Sequence, residues 1–234
     1  MGNRASEVTT PCFAVRDGYA VYRGPIGADG PGHRHAAFQI AIAIRGEVTM
    51  IDSTDTRHQG TALLVPPMTG HRILAHDALL TYFVDPHCAF ADRLRVRGSG
   101  VMVAPDLSGL SEDDIGPGGG GPSGGLDPRL VDALQLIQTG TIALSDVAAA
   151  VGLSPQRLRS MARRDLGIPL ARWRIWSRLR RAMESIQGGA TVAEAAVVAG
   201  FADQAHLTRQ TREMVGMTPA AVLPVLQNSY LRAT

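Results

Sequence analysis

The sequence predicts an α+β protein of two domains, an all-β barrel followed by an all-α domain, and three observations predict it. Before about residue 104 the apolar residues recur with period two. From Gly116 to Gly125 the chain reads GPGGGGPSGG, and beyond Asp127 the apolar period lengthens to 3.6. With 234 residues, 45% hydrophobic and 19% charged, the chain can bury a sizeable core. Disorder throughout is excluded.

Residues 1–104 form the first predicted domain. Phe38, Ile40, Ile42 and Ile44 alternate with Gln39, Ala41 and Ala43, and Arg45-Gly46-Glu47 turns the chain into Val48 to Ile51. Further short apolar runs stand at Ala62 to Val65, His71 to Leu74 and Leu79 to Val84, which suggests an antiparallel sandwich or barrel. Residues 105–126 read as a flexible Gly/Pro-rich linker, because seven Gly and two Pro in ten residues bury nothing to offset backbone entropy.

Residues 127–234 form the second domain, with about seven helices. Leu130, Ala133, Leu134 and Ile137 stand at i, i+3, i+4 and i+7. Ser145 and Asp146 open a helix that Gly152 ends, Ser154-Pro155 opens one that Gly167 ends, and Pro169 opens a long one to about Ile186. Thr191 and Glu194 make a capping box for a helix closed by Gly200, Asp203 begins another closed by Gly216, and Thr218-Pro219 starts the last.

Two cysteines make no disulfide framework, and the start MGNRASEVTT lacks the apolar core of a signal peptide. Cys12 and Cys88 read as buried small apolar residues. The longest uncharged stretch, Met214 to Leu231, contains Pro219, Pro224, Gln227 and Asn228, so it is no membrane span. A cytoplasmic protein is expected.

Charge is unevenly spread. Residues 1–126 hold 10 Arg against 13 acids, a balance of −3, and residues 127–234 hold 13 Arg against 8 acids, a balance of +5. From Pro155 to Arg181, nine Arg stand against the single acid Asp165, a net +8 on helices that points to a phosphate-binding face. A solvated face would interleave Glu with Arg at i, i+4.

The segment Ala148-x3-Gly152-x-Ser154-x3-Leu158-x2-Met161 fits a helix-turn-helix, with a small residue at the helix crossing and Gly in the turn. A second copy, Ala196-x3-Gly200-Phe201-x-Asp203-x3-Leu207, follows about 48 residues later. The long helix between them spans roughly 26 Å, near enough to the 34 Å repeat of the major groove for one chain to place both second helices in adjacent grooves.

Residues 127 to 223 resemble the DNA-binding domain of the AraC/XylS family of bacterial transcription regulators. The resemblance is carried by LSDVAAAVGLSPQRLRSMARRDLGIPL, by Arg178-Leu179-x2-Ala182, and by VAEAAVVAGFADQAHLTRQTREMVGMTPAAV. It implies recognition helices at Pro155 to Asp165 and Asp203 to Glu213. Gln156, Arg159 and Ser160 would face the groove from the first, and Gln204, Ala205, His206 and Arg209 from the second, Arg and Gln being suited to guanine and adenine edges. Arg157, Arg163, Arg164, Arg178 and Arg212 complete the DNA-binding set as phosphate or packing contacts. Ala162 and Thr211 stand where the family usually places a Phe, and Ala205 removes a polar base reader, so the second motif leans on phosphate contacts through Arg209 and Arg212.

The first domain resembles the small cupin-type sensor barrels often joined to such regulators. Gly32-His33-x-His35-x3-Gln39-x6-Gly46 is similar to the first cupin motif with Gln39 in place of Glu, and Gly60-x5-Pro66-x3-Gly70-His71 to the second. On an unbroken strand His33, His35, Ala37, Gln39, Ala41 and Ala43 share one face. His33, His35 and His71 with Gln39 read as ligands for Zn, Ni, Fe or Cu, as the polar wall of an organic-effector pocket, or as exposed loop. His58, His76 and His87 read as surface residues.

The expected protein is a sequence-specific DNA-binding transcription regulator and not an enzyme, controlled by a small effector or metal ion in a cupin-like barrel. Its expected partners are double-stranded promoter DNA, RNA polymerase if it activates, the effector, and a second copy in a homodimer. A metal-dependent cupin enzyme fused to a DNA-binding module is the alternative, and a purely architectural DNA binder is the third reading.

Overall fold

The computed structural model describes residues 11–27, 30–139 and 142–216. Nine strands come first: β1 (Cys12–Arg16), β2 (Tyr19–Ile26), β3 (Phe38–Ala43), β4 (Val48–Asp52), β5 (Arg57–Gly60), β6 (Ala62–Val65), β7 (His71–Ile73), β8 (His76–Val84) and, after helix α1 (Ala89–Arg95), β9 (Met102–Val103). They form two antiparallel sheets, of order β1-β2-β8-β3-β6-β9 and β5-β4-β7.

The period-two pattern of β3 sorts its side chains between two environments. Phe38, Ile40 and Ile42 join Tyr82, Leu64, Phe90 and Leu94 on the face covered by α1. Ala41, with Val48, Met50, Leu63 and Leu79, lies in the separate cluster between the sheets. The expected barrel is not closed. Its free edge at β1 meets a helix of the second half, where Gln187 Nε2 donates to Phe13 O at 2.9 Å.

The Gly-rich segment is docked rather than slack. It holds a 3-10 turn at Pro105–Leu107 and a short helix α2 (Glu112–Gly119) whose Ser111 and Asp114 form a capping box. Leu107, Leu110 and Ile115 cover the outer face of the larger sheet. Ala89 N donates to Gly121 O at 2.8 Å and Ser123 N to His87 O at 2.8 Å. Composition pointed to a tether because glycine buries nothing; here the missing side chain matters differently, since a Cβ on Gly120 would overlap Asp17 O.

The helical half comprises α3 (Pro128–Thr139), α4 (Leu144–Ala150), α5 (Pro155–Leu166), α6 (Leu170–Gln187), α7 (Val192–Val198) and α8 (Gln204–Val215). Caps set most boundaries. Ser154 Oγ accepts from Arg157 N, Thr191 and Glu194 form the capping box, and Asp203 accepts from His206 N. Gly167 and Gly216 end α5 and α8 in the left-handed conformation. Helix α4 starts one residue before Ser145, without a side-chain cap, so the polar pair there sits inside the helix. The expected helix at Thr218-Pro219 lies outside the described residues.

One apolar cluster runs through both halves. Ala20, Ala36, Ala37 and Phe83 from the strand region pack with Leu134, Trp173, Trp176, Leu179 and Met183. No helix among the described residues is long and apolar enough to cross a membrane.

Candidate nucleic-acid interface and interdomain cavity

Each helix-turn-helix unit is built on the small residues its spacing requires. Ala148 and Ala196 are buried at the crossings, and Gly152 and Gly200 take φ values of 66° and 80° in the turns. Leu158 and Met161 of α5 and Leu207 of α8 are buried against the preceding helices. That packing turns the other face outward: Gln156, Arg157, Arg159, Ser160, Arg163 and Arg164 are exposed on α5, and Gln204, Ala205, Arg209 and Arg212 on α8.

Three of the expected DNA-facing residues have other surroundings. His206 is half-buried, its ring edge-on to Phe201 at 5.3 Å and its Nδ1 accepting from Ala202 N. Arg164 is exposed but paired with Asp165, its Nη2 to Oδ2 at 2.7 Å. Arg178 is half-buried on α6 and its Nε is enclosed, which places it in the packing of that helix. The basic run is therefore partly absorbed by the fold, because only one face of α6 meets solvent: Arg172 pairs with Glu213 at 2.5 Å, Arg174 donates to Ile142 O at 2.9 Å, and Arg180 is buried.

Arg180 marks a site that sequence reasoning missed. Its Nη1 bonds Asp85 Oδ2 and its Nη2 bonds Arg16 O, while Trp176 Nε1 donates to the other Asp85 oxygen at 2.9 Å. Asp85 is wholly buried, so the sheet and α6 are joined by a desolvated ion pair. Nothing in the local pattern singled Arg180 out from its neighbours. His87, expected at the surface, is also buried, edge-on to Trp173 at 4.8 Å, and burial pulls its pKa down.

Beside the ion pair lies a cavity of about 370 Å³, within the usual range for small-molecule sites. Its walls come from β1, β2 and β8 on one side and from α6 and the end of α8 on the other, with Phe13, Tyr22, Trp176, Met183, Thr211 and Val215 among them. Thr211 is buried and donates to Leu207 O at 2.8 Å; a Phe here would reach into the cavity.

The histidines gather at the cavity's edge. Helped by a backbone bridge between His33 and His71 and by Met68 N donating to His35 O, the ligand atoms of His33, His35 and His71 lie within 4.8 Å of one another. They do not share one strand face, since β3 begins only at Phe38. Gln39 Oε1 is 2.9 Å from His35 Nε2 and 2.7 Å from His71 Nε2. Burial lowers the pKa of all three, that of His35 to about 4. His33 lies against the end of α8, since a Cβ on Gly216 would stand 2.9 Å from His33 Nδ1. Cys88 is buried and its thiol is pushed up to about 11 by desolvation, in keeping with an inert apolar role.

The family model of a helix-turn-helix domain matches residues 147–223. This part of the chain is an AraC-type helix-turn-helix domain. The match takes in both turns and the helices α5 and α8 that follow them. Beyond the AraC-type domain, the whole chain shares its two-domain fold with ToxT from Vibrio cholerae O395, at TM-score 0.61 and 9% identity, covering 91% of this chain and 99% of that one. ToxT O395 bound to (E)-4-(8-methylnaphthalen-1-yl)but-3-enoic acid is 10% identical over 90% and 100% of the two chains, at TM-score 0.61. Wild-type ToxT of strain SCE256 with an unsaturated fatty acid bound is 10% identical over 95% and 98%, at TM-score 0.60. No curated protein matches the sequence.

Proposed function

We propose that the protein is a one-component transcription regulator that reads double-stranded promoter DNA through α5 and α8 and answers to a small, mainly apolar effector held between its halves. It acts by binding rather than turnover. The cavity wall carries this reading, because an occupant would touch β2, α6 and the end of α8 together. A ligand that favours one placement of α8 shifts the population towards it. The fold shared with ToxT, of which two structures hold largely apolar acids, supports an effector of that size and character. RNA polymerase is a further partner if the protein activates, and a homodimer would pair two such domains on one promoter.

The test is to select duplexes from a randomised pool with the full chain, then to measure their affinity with and without dodecyl compounds. Selected duplexes bound no more tightly than scrambled ones at near-physiological salt would remove the DNA reading. Unchanged affinity and no ligand binding would remove the effector.

A second reading, a transition-metal site for Zn, Ni, Fe or Cu at His33, His35 and His71, is favoured by the tautomers. His33 Nδ1, His35 Nδ1 and His71 Nδ1 face the carbonyls of Pro31, Ala37 and Thr69 at 3.0, 2.8 and 3.0 Å. A carbonyl only accepts, so each Nδ1 carries the proton and each Nε2 is a bare lone pair, the arrangement that backbone partners impose on metal-binding imidazoles. Two of these lone pairs meet Gln39 Oε1, a third acceptor. Either the amide turns its NH2 towards them or a cation lies among them. Metal content of the untagged chain and of His35→Ala after incubation with each ion decides; equal, near-zero content removes the metal.

A further inference from the structure

The two helix-turn-helix units are built alike, so their outward faces can be compared position by position. Helices α5 and α8 are both 12 residues long. Each opens on a side chain, Ser154 or Asp203, that accepts from the backbone N–H three residues on, and each ends at a glycine in the left-handed conformation. Leu158 and Leu207 hold the fourth position after those caps and are wholly buried, and Ala162 and Thr211 hold the eighth and are buried too. The faces are therefore in register, but their chemistry differs. At the second and fifth positions α5 exposes Gln156 and Arg159, long side chains rich in donors. At the same two positions α8 has Ala205, which is exposed, and Thr208, which is half-buried and donates its hydroxyl proton to Gln204 O at 2.8 Å. Helix α8 thus offers no side-chain donor at either place.

We propose that Ala205 is a specificity residue that reads a thymine through its C5-methyl group, so that the promoter half beneath α8 is chosen partly by apolar contact while the half beneath α5 is chosen by hydrogen bonds. The inference rests on the DNA reading and names what the second unit recognises. Among the four bases only thymine presents a methyl group in the major groove, and alanine is one of the side chains suited to it. The shortness of Ala205 matters as well, because a longer side chain at this exposed position would hold the helix off the base edge. An adenine or cytosine amino group set against the same methyl would lose its water without gaining a partner. Arg209, exposed one turn further along the same face, keeps its guanidinium for a guanine or a phosphate beside that thymine.

The experiment starts from a duplex selected out of a randomised pool by the full chain. Each thymine of that duplex is replaced in turn by deoxyuridine, which keeps the pairing and the O4 acceptor and lacks only the methyl, and affinity is measured by anisotropy at one fixed salt concentration. At one or two thymines the replacement is expected to weaken wild-type binding about three- to fivefold, the worth of one buried methyl. The same duplexes are then measured with Ala205→Gly. The ratio of thymine to deoxyuridine affinity at those positions should fall to about one, and the ratio is independent of any change in the variant's stability or overall affinity. A ratio that persists would overturn the inference, because the methyl would then act through duplex shape or another residue. Indifference of the wild type to every replacement would overturn it too and leave the DNA reading standing, whereas a pool that yields no preferred duplex would overturn both. Ala205→Gln gives α8 the residue that α5 carries at this position, and a pool selected with it should lose the thymine preference there; an unchanged preference would count against Ala205 as the reader.

Discussion

Asp85 and Arg180, 95 positions apart in the chain, meet in a buried ion pair that joins strand β8's exit to the long helix α6. Removing one partner leaves an uncompensated buried charge, at a cost of about 3–5 kcal/mol, whereas an apolar replacement of both costs less. Arg180→Met should therefore lower the denaturant midpoint sharply, and Arg180→Met with Asp85→Leu should recover part of the loss. Additive losses would show that the two side chains are not coupled.

Gly216 and Gly152 both take positive φ, 75° and 66°, but only Gly216 has a neighbour where a Cβ would go. Alanine at either position meets the left-handed backbone penalty of about 1–2 kcal/mol. Gly216→Ala should cost more than Gly152→Ala by the contact with His33. Equal losses in equilibrium unfolding would mean that His33 yields freely.

Thr211 leaves room that the cavity uses, so Thr211→Phe should reduce ligand affinity at least tenfold while specific DNA binding persists. The paired measurement is ligand titration and duplex anisotropy on the same sample. Undiminished ligand binding would place the ligand elsewhere.

On the outward faces, Arg159→Ala and Arg209→Ala should each cost about 1–3 kcal/mol on the preferred duplex and relax preference at particular base pairs. Arg163→Ala should weaken all duplexes alike and reduce the salt slope by about one. Arg178→Ala, by contrast, should show itself in stability rather than in the salt slope, because the residue is packed on α6.

Acid should destabilise the protein through its buried imidazoles. His35 ionises at about 4 when folded, and near 6.5 when unfolded. Above pH 6.5 both states are neutral; below it the unfolded chain binds protons that the fold refuses, so stability falls from about 6.5 towards 4. Unfolding with chelator present should show a loss of the order of a few kcal/mol between pH 7 and 4.5. A flat profile would mean that the histidines are hydrated.

Much of this architecture was legible because it is local. Periods of 2 and 3.6, the caps at Ser154, Thr191 and Asp203, and glycines at the turns are signals within a few residues, and the helix boundaries followed them. That His33, His35 and His71 meet was also expected, but from a strand face that His33 and His35 do not share, since β3 begins only at Phe38. What escaped the sequence depends on distant partners. The run of nine Arg looks uniform in one dimension, yet α6 turns Arg180 inward and leaves its neighbours elsewhere. The glycines of 116–125 looked slack because composition does not reveal that Gly120 lies against Asp17. The cavity has no sequence signature, since its walls come from seven separate elements, β1, β2, β3, β7, β8, α6 and α8.

The apolar cluster that contains both Phe83 and Trp176 has a thermodynamic consequence. Two domains on a tether melt independently, each with its own heat-capacity peak. Here the seam is itself core, so losing either half exposes the other's apolar surface to water. The chain should therefore behave as one cooperative unit, with calorimetric and van't Hoff enthalpies in agreement. An occupant of the cavity would then raise the melting temperature of the DNA-binding helices and of the sheet together.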